Sequence, residues 1–469
     1  MKASHWILML IVLLSGAVSI SIFSVGQLWY DDFAGYLLQS QAILRGEMPQ
    51  FVAQNVTALA ASDYPVGPAA YPWGYPLLVA PIFALSGLSS LTAYKLVNVL
   101  AFAAFLIVFH ALARRRLPAL SALLLTAALA FNPALLQAQD LIQADFVFLC
   151  LSTLALLQIE AEEKSAARAL LLGMTLFAAF FVRTNGILLP GVFLAEEIRR
   201  ALSTPRPGWR FSAGTFLIFL SLTLLAGAIF PNGQTSYFTH YGLFFTPARL
   251  WQNFLYYLAL PGEGFSFLPG AYPLTAALFL LGAWRFRRQE FPILLYIFLS
   301  LALFISWPER QGLRFLYPIF PLLLLIAARA LASLTARWRW LAPAAWGALA
   351  ALALFASLSL TGGQFFQRRE INGPFDEFSQ AMFAFVRENT LPESQVIFFK
   401  PRLMTLLTGR PSLLVSDCAR LGAGDFLVLH KKGQANGQVN PTLAESCNPN
   451  LRLNLLFENK RFLVYQISP

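Results

Sequence analysis

Two adjacent carboxylates, Asp31 and Asp32, stand where the first long apolar run, His5 to Gly26, ends, inside the segment Trp29-Tyr30-Asp31-Asp32-Phe33. A carboxylate there can take a proton from an acceptor group, orient that group, or ligate a hard cation through oxygen. An ionised aspartate at mid-bilayer costs about 2.5 to 3.5 kcal/mol on insertion scales, so a pair at a helix mouth is expected to face water, a cation or a substrate. Successive side chains on a helix diverge by about 100°, and the two cannot address one atom equally. One is expected to act as base or orienting group and the other as its neighbour or metal partner. The competing reading is that one of them caps the helix that follows, a common role for Asp.

Three further groups carry candidate chemistry. In Tyr71-Pro72-Trp73-Gly74-Tyr75-Pro76-Leu77-Leu78, two prolines and a glycine are expected to fix a bent backbone, with Tyr71, Trp73 and Tyr75 lining a substrate pocket or, in the plainer reading, anchoring an interfacial belt. The polar turn Gln137 to Asp145 carries Asp140 and Asp145. With Asp31 these make an optional divalent cation site, for Mg²⁺ or Mn²⁺ in octahedral oxygen coordination, against the alternatives of loop solvation and an N-cap by Asp145. Lys95, Arg183, Arg310 and Arg314 sit at ends of apolar runs, where they are suited to a lipid phosphate through charge-assisted hydrogen bonds or else snorkel to ordinary head groups. Asn185, beside Arg183 in Arg183-Thr184-Asn185-Gly186, joins the pocket residues, and that turn is expected to split the apolar stretch 169–198 into a hairpin of two short helices.

The elements that hold these residues follow from composition. The chain has 469 residues, 57% hydrophobic and 12% charged, with a mean hydropathy of +0.61. Such a chain cannot hide its apolar surface in soluble domains, and its runs approach the roughly 20 residues a membrane-crossing helix needs. A mainly α, polytopic membrane protein of about eleven transmembrane helices is expected. The first run is too long for a secretory signal and is expected to be a retained helix. The net charge of +11 is scattered between apolar runs and forms no basic stripe of the kind that binds nucleic acid.

Those charges report topology instead. With the N-terminus in the cytoplasm, Lys2, Arg114 to Arg116, Lys164, Arg168, the arginines between 199 and 210, Arg285, Arg287, Arg288, Arg329, Arg337 and Arg339 fall inside. Outside the tail, only Arg45, Lys95, Arg183, Arg249, Arg310 and Arg314 face the other way. The carboxylates, the long loops and the C-terminal tail are then extracytoplasmic. Residues 26–91 are expected to form a long loop with one interfacial helix, which Gly46 and Pro49 end; residues 1–363 form the membrane domain. From Gln364 the composition is that of a soluble α/β domain, residues 364–469, with a helix over 375–388 and strands at 396–399, 425–430, 453–457 and 462–467. Cys418 and Cys447 both lie in this tail, where an extracytoplasmic disulfide is favoured over two free thiols.

Taken in order, the motifs resemble a known family. An acidic pair after the first helix, Arg45-Gly46-x-x-Pro49, Tyr71-Pro72-x-Gly74-Tyr75-Pro76, Arg183-Thr184-Asn185-Gly186, Arg314-Phe315-Leu316-Tyr317-Pro318 and Leu407-Thr408-Gly409-Arg410 together look like the GT-C superfamily of membrane glycosyltransferases. Within it they are similar to the bacterial branch of protein O-mannosyltransferases and the lipid A aminoarabinose transferase. The resemblance implies a catalytic aspartate at Asp31, a second acidic position at Asp140 or Asp145, and a plasma-membrane location. It also implies a polyprenyl-phosphate-linked sugar as donor, a lipid, glycan or protein acceptor, and transfer with inversion. Two readings from other classes stand beside it: a transporter or flippase, which would favour mid-helix ionisable groups and related halves that this sequence lacks, and a noncatalytic assembly protein on the same scaffold.

Overall fold

The computed structural model describes residues 2–63, 67–203, 209–232, 245–360, 370–432, 437–442 and 444–468. The chain is mainly helical, with one small sheet near its C-terminus. It divides into two compact units, one of residues 1–23, 92–228 and 240–368, the other of residues 24–91, 229–239 and 369–469. The composition change near Gln364 lies outside the described residues.

In the first unit, each apolar run read from the sequence is a helix, but the lengths are uneven. Ser4–Ser21, Leu91–Arg114, Trp209–Ile229 and Leu341–Ser359 are long and apolar enough to cross a membrane, whereas Ala119–Ala130, Asp145–Ile159, Ala166–Val182, Phe291–Ser306 and Phe320–Leu334 are shorter. The shortening has local causes. The run 117–136 breaks where Asn132 caps a new turn, its side chain accepting from the Ala134 and Leu135 N–H groups ahead of Pro133. The helix Phe320–Leu334 begins only after the 3-10 turn Gly312–Leu316, which takes up the start of its apolar run. Phe102, Phe105, Phe109, Phe146, Phe148, Phe193 and Phe320 are fully buried between the helices.

Several buried polar groups bind across the chain. Ser15 donates to the Ala130 carbonyl at 2.6 Å, Ser357 to the Phe131 carbonyl at 2.6 Å, Asn132 to the Gly264 carbonyl at 2.8 Å, and Ser19 to Gln139 at 3.0 Å. These bonds pin residues 130–139, which lead into the polar turn with Asp140 and Asp145. Several basic residues assigned to topology are also paired: Arg116 reaches Glu290 at 2.7 Å and also meets Glu160, and Arg329 meets Glu290.

The stretch 169–198 folds as the expected hairpin, Ala166–Val182 and Leu188–Ser203 joined by the 3-10 turn Thr184–Ile187. Arg183 terminates the first helix with extended backbone, φ −146° and ψ 136°. Gly186 lets the turn fold onto that helix, because a Cβ there would lie 2.5 Å from backbone atoms of Ala179 and Phe180.

The second unit joins the segment after the first helix to the tail. Residues 26–91 hold three helices, Asp32–Arg45, Met48–Ala61 and Gly74–Ser86, where one had been expected. Pro49 and Pro76 were read as breakers but fall in first turns, where a missing N–H costs nothing. Tyr71-Pro72-Trp73 is therefore the lead-in to a helix and not a free bent loop. The five-stranded sheet has the order β2-β1-β3-β5-β4, with β1 (Val396–Ile397) parallel to β2 (Ser412–Leu413) and β3 (Phe426–His430), and with β5 (Phe462–Ser468) antiparallel to β3 and β4 (Arg452–Glu458). β2 and the helix Pro401–Thr408 escape a sequence reading because they are only two and eight residues long. Cys418 and Cys447 are joined by a disulfide, Cα atoms 5.2 Å apart.

Side chains of the early segment complete the tail's core. Ala58 and Ala61 pack against Ile397, Leu413, Leu427, Leu429 and Tyr465. Trp29 lies among Phe399, Phe462, Phe398, His430 and Phe383, with ring centroids 5.2 to 6.5 Å away. Asp63 accepts from the Ser416 and Asp417 N–H groups at 2.7 and 2.8 Å and pairs with Arg420 at 2.6 Å. The long loop thus shares a hydrophobic core with the tail.

Replacing Gly186 by Ala forces a methyl group into immovable backbone. It is expected to lower stability by about 1 to 3 kcal/mol, read as a drop in the thermal midpoint of the purified protein in detergent, with Gly191→Ala, which meets open space, as the unaffected control.

Candidate active site

The acidic pair is built in the second unit. Asp31 occupies the N-cap position of the helix Asp32–Arg45, yet its backbone is already helical, φ −84° and ψ −23°, and its side chain caps nothing. The capping reading therefore fails for Asp31. The residue is buried, 6% exposed. Neither carboxylate oxygen reaches hydrogen-bond geometry with a described group, although the Leu403 N–H is near enough to favour the ionised form slightly. Burial pushes the Asp31 carboxyl above the ordinary carboxylate range, and the adjacent Asp32 adds to that; Arg402 and Lys400 pull the other way. A desolvated carboxyl of raised basicity suits proton transfer from a hydroxyl or amine.

Asp32 is placed differently. It is the first residue of the helix, and its Oδ1 accepts from the Tyr71 hydroxyl at 2.7 Å. The same hydroxyl accepts from Nη1 of Arg402 at 2.7 Å, and that nitrogen lies 3.8 Å from Oδ2 of Asp31. Sequence reasoning missed Arg402. No motif marks it; the usable signal is a Pro-Arg step just after a strand, at the N-terminus of Pro401–Thr408. The other expected pocket residues belong to the packing: Tyr75 is fully buried against Tyr36, and Trp73, 2% exposed, stacks on Phe230 and donates to the Pro231 carbonyl at 3.0 Å.

The expected phosphate-binding cations and the second acidic position lie in the first unit. Lys95 is fully buried and donates to Asp140 at 2.6 Å, with the ring of Phe23 5.6 Å away. Asp145 is the first residue of its helix and does not cap it; instead it meets Arg183 and, at 3.4 Å, Arg314. Its negative charge also suits the positive end of that helix. Asn185 lies in the turn next to Arg183, and its Oδ1 has no hydrogen-bond partner among the described residues. Arg310 lies over the Tyr256 ring at 5.0 Å and donates to Asn253 at 3.1 Å.

Asp140 and Asp145 thus each answer a basic side chain. Among the described residues no group of three or more His, Cys, Asp or Glu side chains could hold a metal ion.

No protein-family model and no curated protein matches the sequence. Solved structures do. ArnT from Cupriavidus metallidurans bound to undecaprenyl phosphate aligns at 14% identity over 99% of this chain and 98% of its own, TM-score 0.59. The archaeal oligosaccharyltransferase AglB from Archaeoglobus fulgidus, in complex with an inhibitory peptide and a dolichol-phosphate, aligns at 12% identity over 91% of this chain and 69% of its own, TM-score 0.57. This chain has the GT-C fold. The mycobacterial arabinofuranosyltransferase AftD shares it, at 14% identity over 98% of this chain and 41% of the larger protein, TM-score 0.53.

Breaking the buried Lys95–Asp140 pair from one side leaves a charge without its counterpart. Lys95→Met is expected to destabilise the protein by about 3 kcal/mol or more, and Lys95→Met with Asp140→Leu to recover part of that loss, measured as thermal midpoints in detergent.

Proposed function

We propose that this chain is a membrane glycosyltransferase that moves a sugar from a polyprenyl-phosphate-type lipid to an acceptor on the extracytoplasmic side. The observation that carries this reading is the state of Asp31: a buried carboxylate of raised basicity without a formed hydrogen bond among the described residues, on a chain whose fold matches the undecaprenyl-phosphate-bound ArnT over nearly its full length. Perturbed carboxyls of this kind cluster at functional sites.

In the proposed reaction an acceptor hydroxyl or amine donates its hydrogen bond to Asp31. The acceptor atom attacks the anomeric carbon from the face opposite the phosphate, and a new bond to that carbon forms as the carbon–oxygen bond to phosphate breaks. The bonding pair leaves on the phosphate oxygen, the acceptor proton passes to Asp31, and the configuration inverts. Lys95, Arg183 and Arg314, with Arg310, supply positive charge for the departing phosphate. Asp32, already engaged by Tyr71, orients its neighbour and does not itself take the proton.

The test compares wild type with Asp31→Asn and Asp32→Asn in membranes supplied with undecaprenyl-phosphate-linked sugars carrying a radiolabel. Asp31→Asn is expected to lose at least roughly a hundredfold in transfer rate, the scale of general-base assistance, and Asp32→Asn distinctly less. Undiminished transfer in a folded Asp31→Asn enzyme would sink the assignment. Arg183→Gln and Arg314→Gln are expected to raise the KM for the lipid donor.

A further inference from the structure

We propose that Arg402, from the C-terminal sheet domain, is the positioning residue of the acidic pair: its guanidinium supplies the charge that faces Asp31 and, through the Tyr71 hydroxyl, fixes Asp32. The inference rests on the reading above only in calling Asp31 catalytic; the charge coupling itself is independent of the reaction.

Four observations carry it. The Arg402 side chain is buried, 6% exposed, so its charge needs partners within the fold. Those partners are shared out over its fork: Nη1 serves the Tyr71 hydroxyl at 2.7 Å and lies 3.8 Å from Asp31, while Nη2 donates to the Pro68 carbonyl. The guanidinium also lies 4.8 Å from the centre of the Tyr71 ring, a cation over an aromatic face. Lastly, the surroundings are shaped for this stack. Gln39 clamps the Tyr71 backbone with two bonds of 2.9 Å, and a Cβ on residue 35 would come within 2.6 Å of the Tyr71 ring and 3.4 Å of Arg402 Cδ, so Gly35 makes the room.

The geometry also separates the two carboxylates in function. Tyr71 donates its only proton to Asp32 and must therefore receive one from Arg402, which leaves Arg402 facing Asp31 by charge across 3.8 Å without a direct bond. Asp31 is thereby compensated electrostatically without a hydrogen bond to Arg402. Lysine, a point charge, could supply the compensation but not the fork that holds Tyr71 and Pro68 together. The tail is on this account a component of the catalytic corner and not an appended binding module.

The test is a double-mutant cycle on the full-length protein in detergent, comparing the thermal midpoints of wild type, Asp31→Asn, Arg402→Gln and the double variant. Arg402→Gln should lower the midpoint, and adding Asp31→Asn should restore more than half of the loss, because the stranded buried charge is then gone. If the loss stays the same with or without Asp31→Asn, Arg402 merely packs and the inference is overturned. Should Arg402→Gln alone not be recovered folded, recovery of the double variant is the expected rescue, and failure of both overturns the inference. In the transfer assay with labelled undecaprenyl-phosphate-linked sugars, Arg402→Gln should lose roughly tenfold or more and Arg402→Lys should regain part of it; full activity in Arg402→Gln also overturns the inference. Full transfer by Asp31→Asn would remove the proposed function yet leave the cycle standing, whereas an additive cycle would remove this inference and leave that function.

Discussion

An aspartate taken out of water is costly unless a positive charge comes with it, and the second unit is arranged around that constraint at Asp31. The carboxylate cannot draw its compensation from the helix it precedes, because its backbone has already turned helical and its oxygens miss the free N–H groups. The charge comes instead from a segment far along the chain, the Lys400-Pro401-Arg402 corner behind β1. Bringing that corner to residue 31 requires the early helices and the tail sheet to share one core. Trp29 in its aromatic surround, Ala58 and Ala61 on the sheet, and Asp63 on the Ser416 and Asp417 amides are the contacts that do it.

The first unit obeys a related rule under tighter conditions. Where helices run through an apolar medium, a charge is tolerated when it meets its opposite. Lys95 with Asp140, Asp145 between Arg183 and Arg314, and Glu290 with Arg116 and Arg329 all follow it. Asp140 and Asp145, two of the carboxylates that the sequence offered as metal ligands, take part in this pairing. The same pairing gives Lys95, Arg183 and Arg314 defined carboxylate partners.

Much of this was legible in the residues. Apolar runs near the length of a bilayer span forced helices, because backbone groups without water have no other complete way to bond. Each such run in the first unit is helical. The hairpin at Arg183-Thr184-Asn185-Gly186 and the pairing of Cys418 with Cys447 were likewise expected, and the family resemblance, resting on motif order, agrees with the GT-C fold. The misreadings came from local signals with two meanings. Proline marks a helix start as readily as a stop, which hid Met48–Ala61 and Gly74–Ser86, and a two-residue strand has no periodicity to detect.

The sequence by itself determined the class of the protein, the positions of its apolar helices, and Asp31 and Asp32 as the residues to watch, since hydropathy and motif order are properties of short stretches. It could not separate capping from catalysis at Asp31, nor find Arg402, because both depend on which groups meet across more than 300 residues of chain. Only the tertiary structure decided that Asp31 is buried without capping, that Asp32 is bound by Tyr71, and that Arg402 faces them both. Burial and charge compensation are sums over neighbours in space, and a sequence names the neighbours only along the chain.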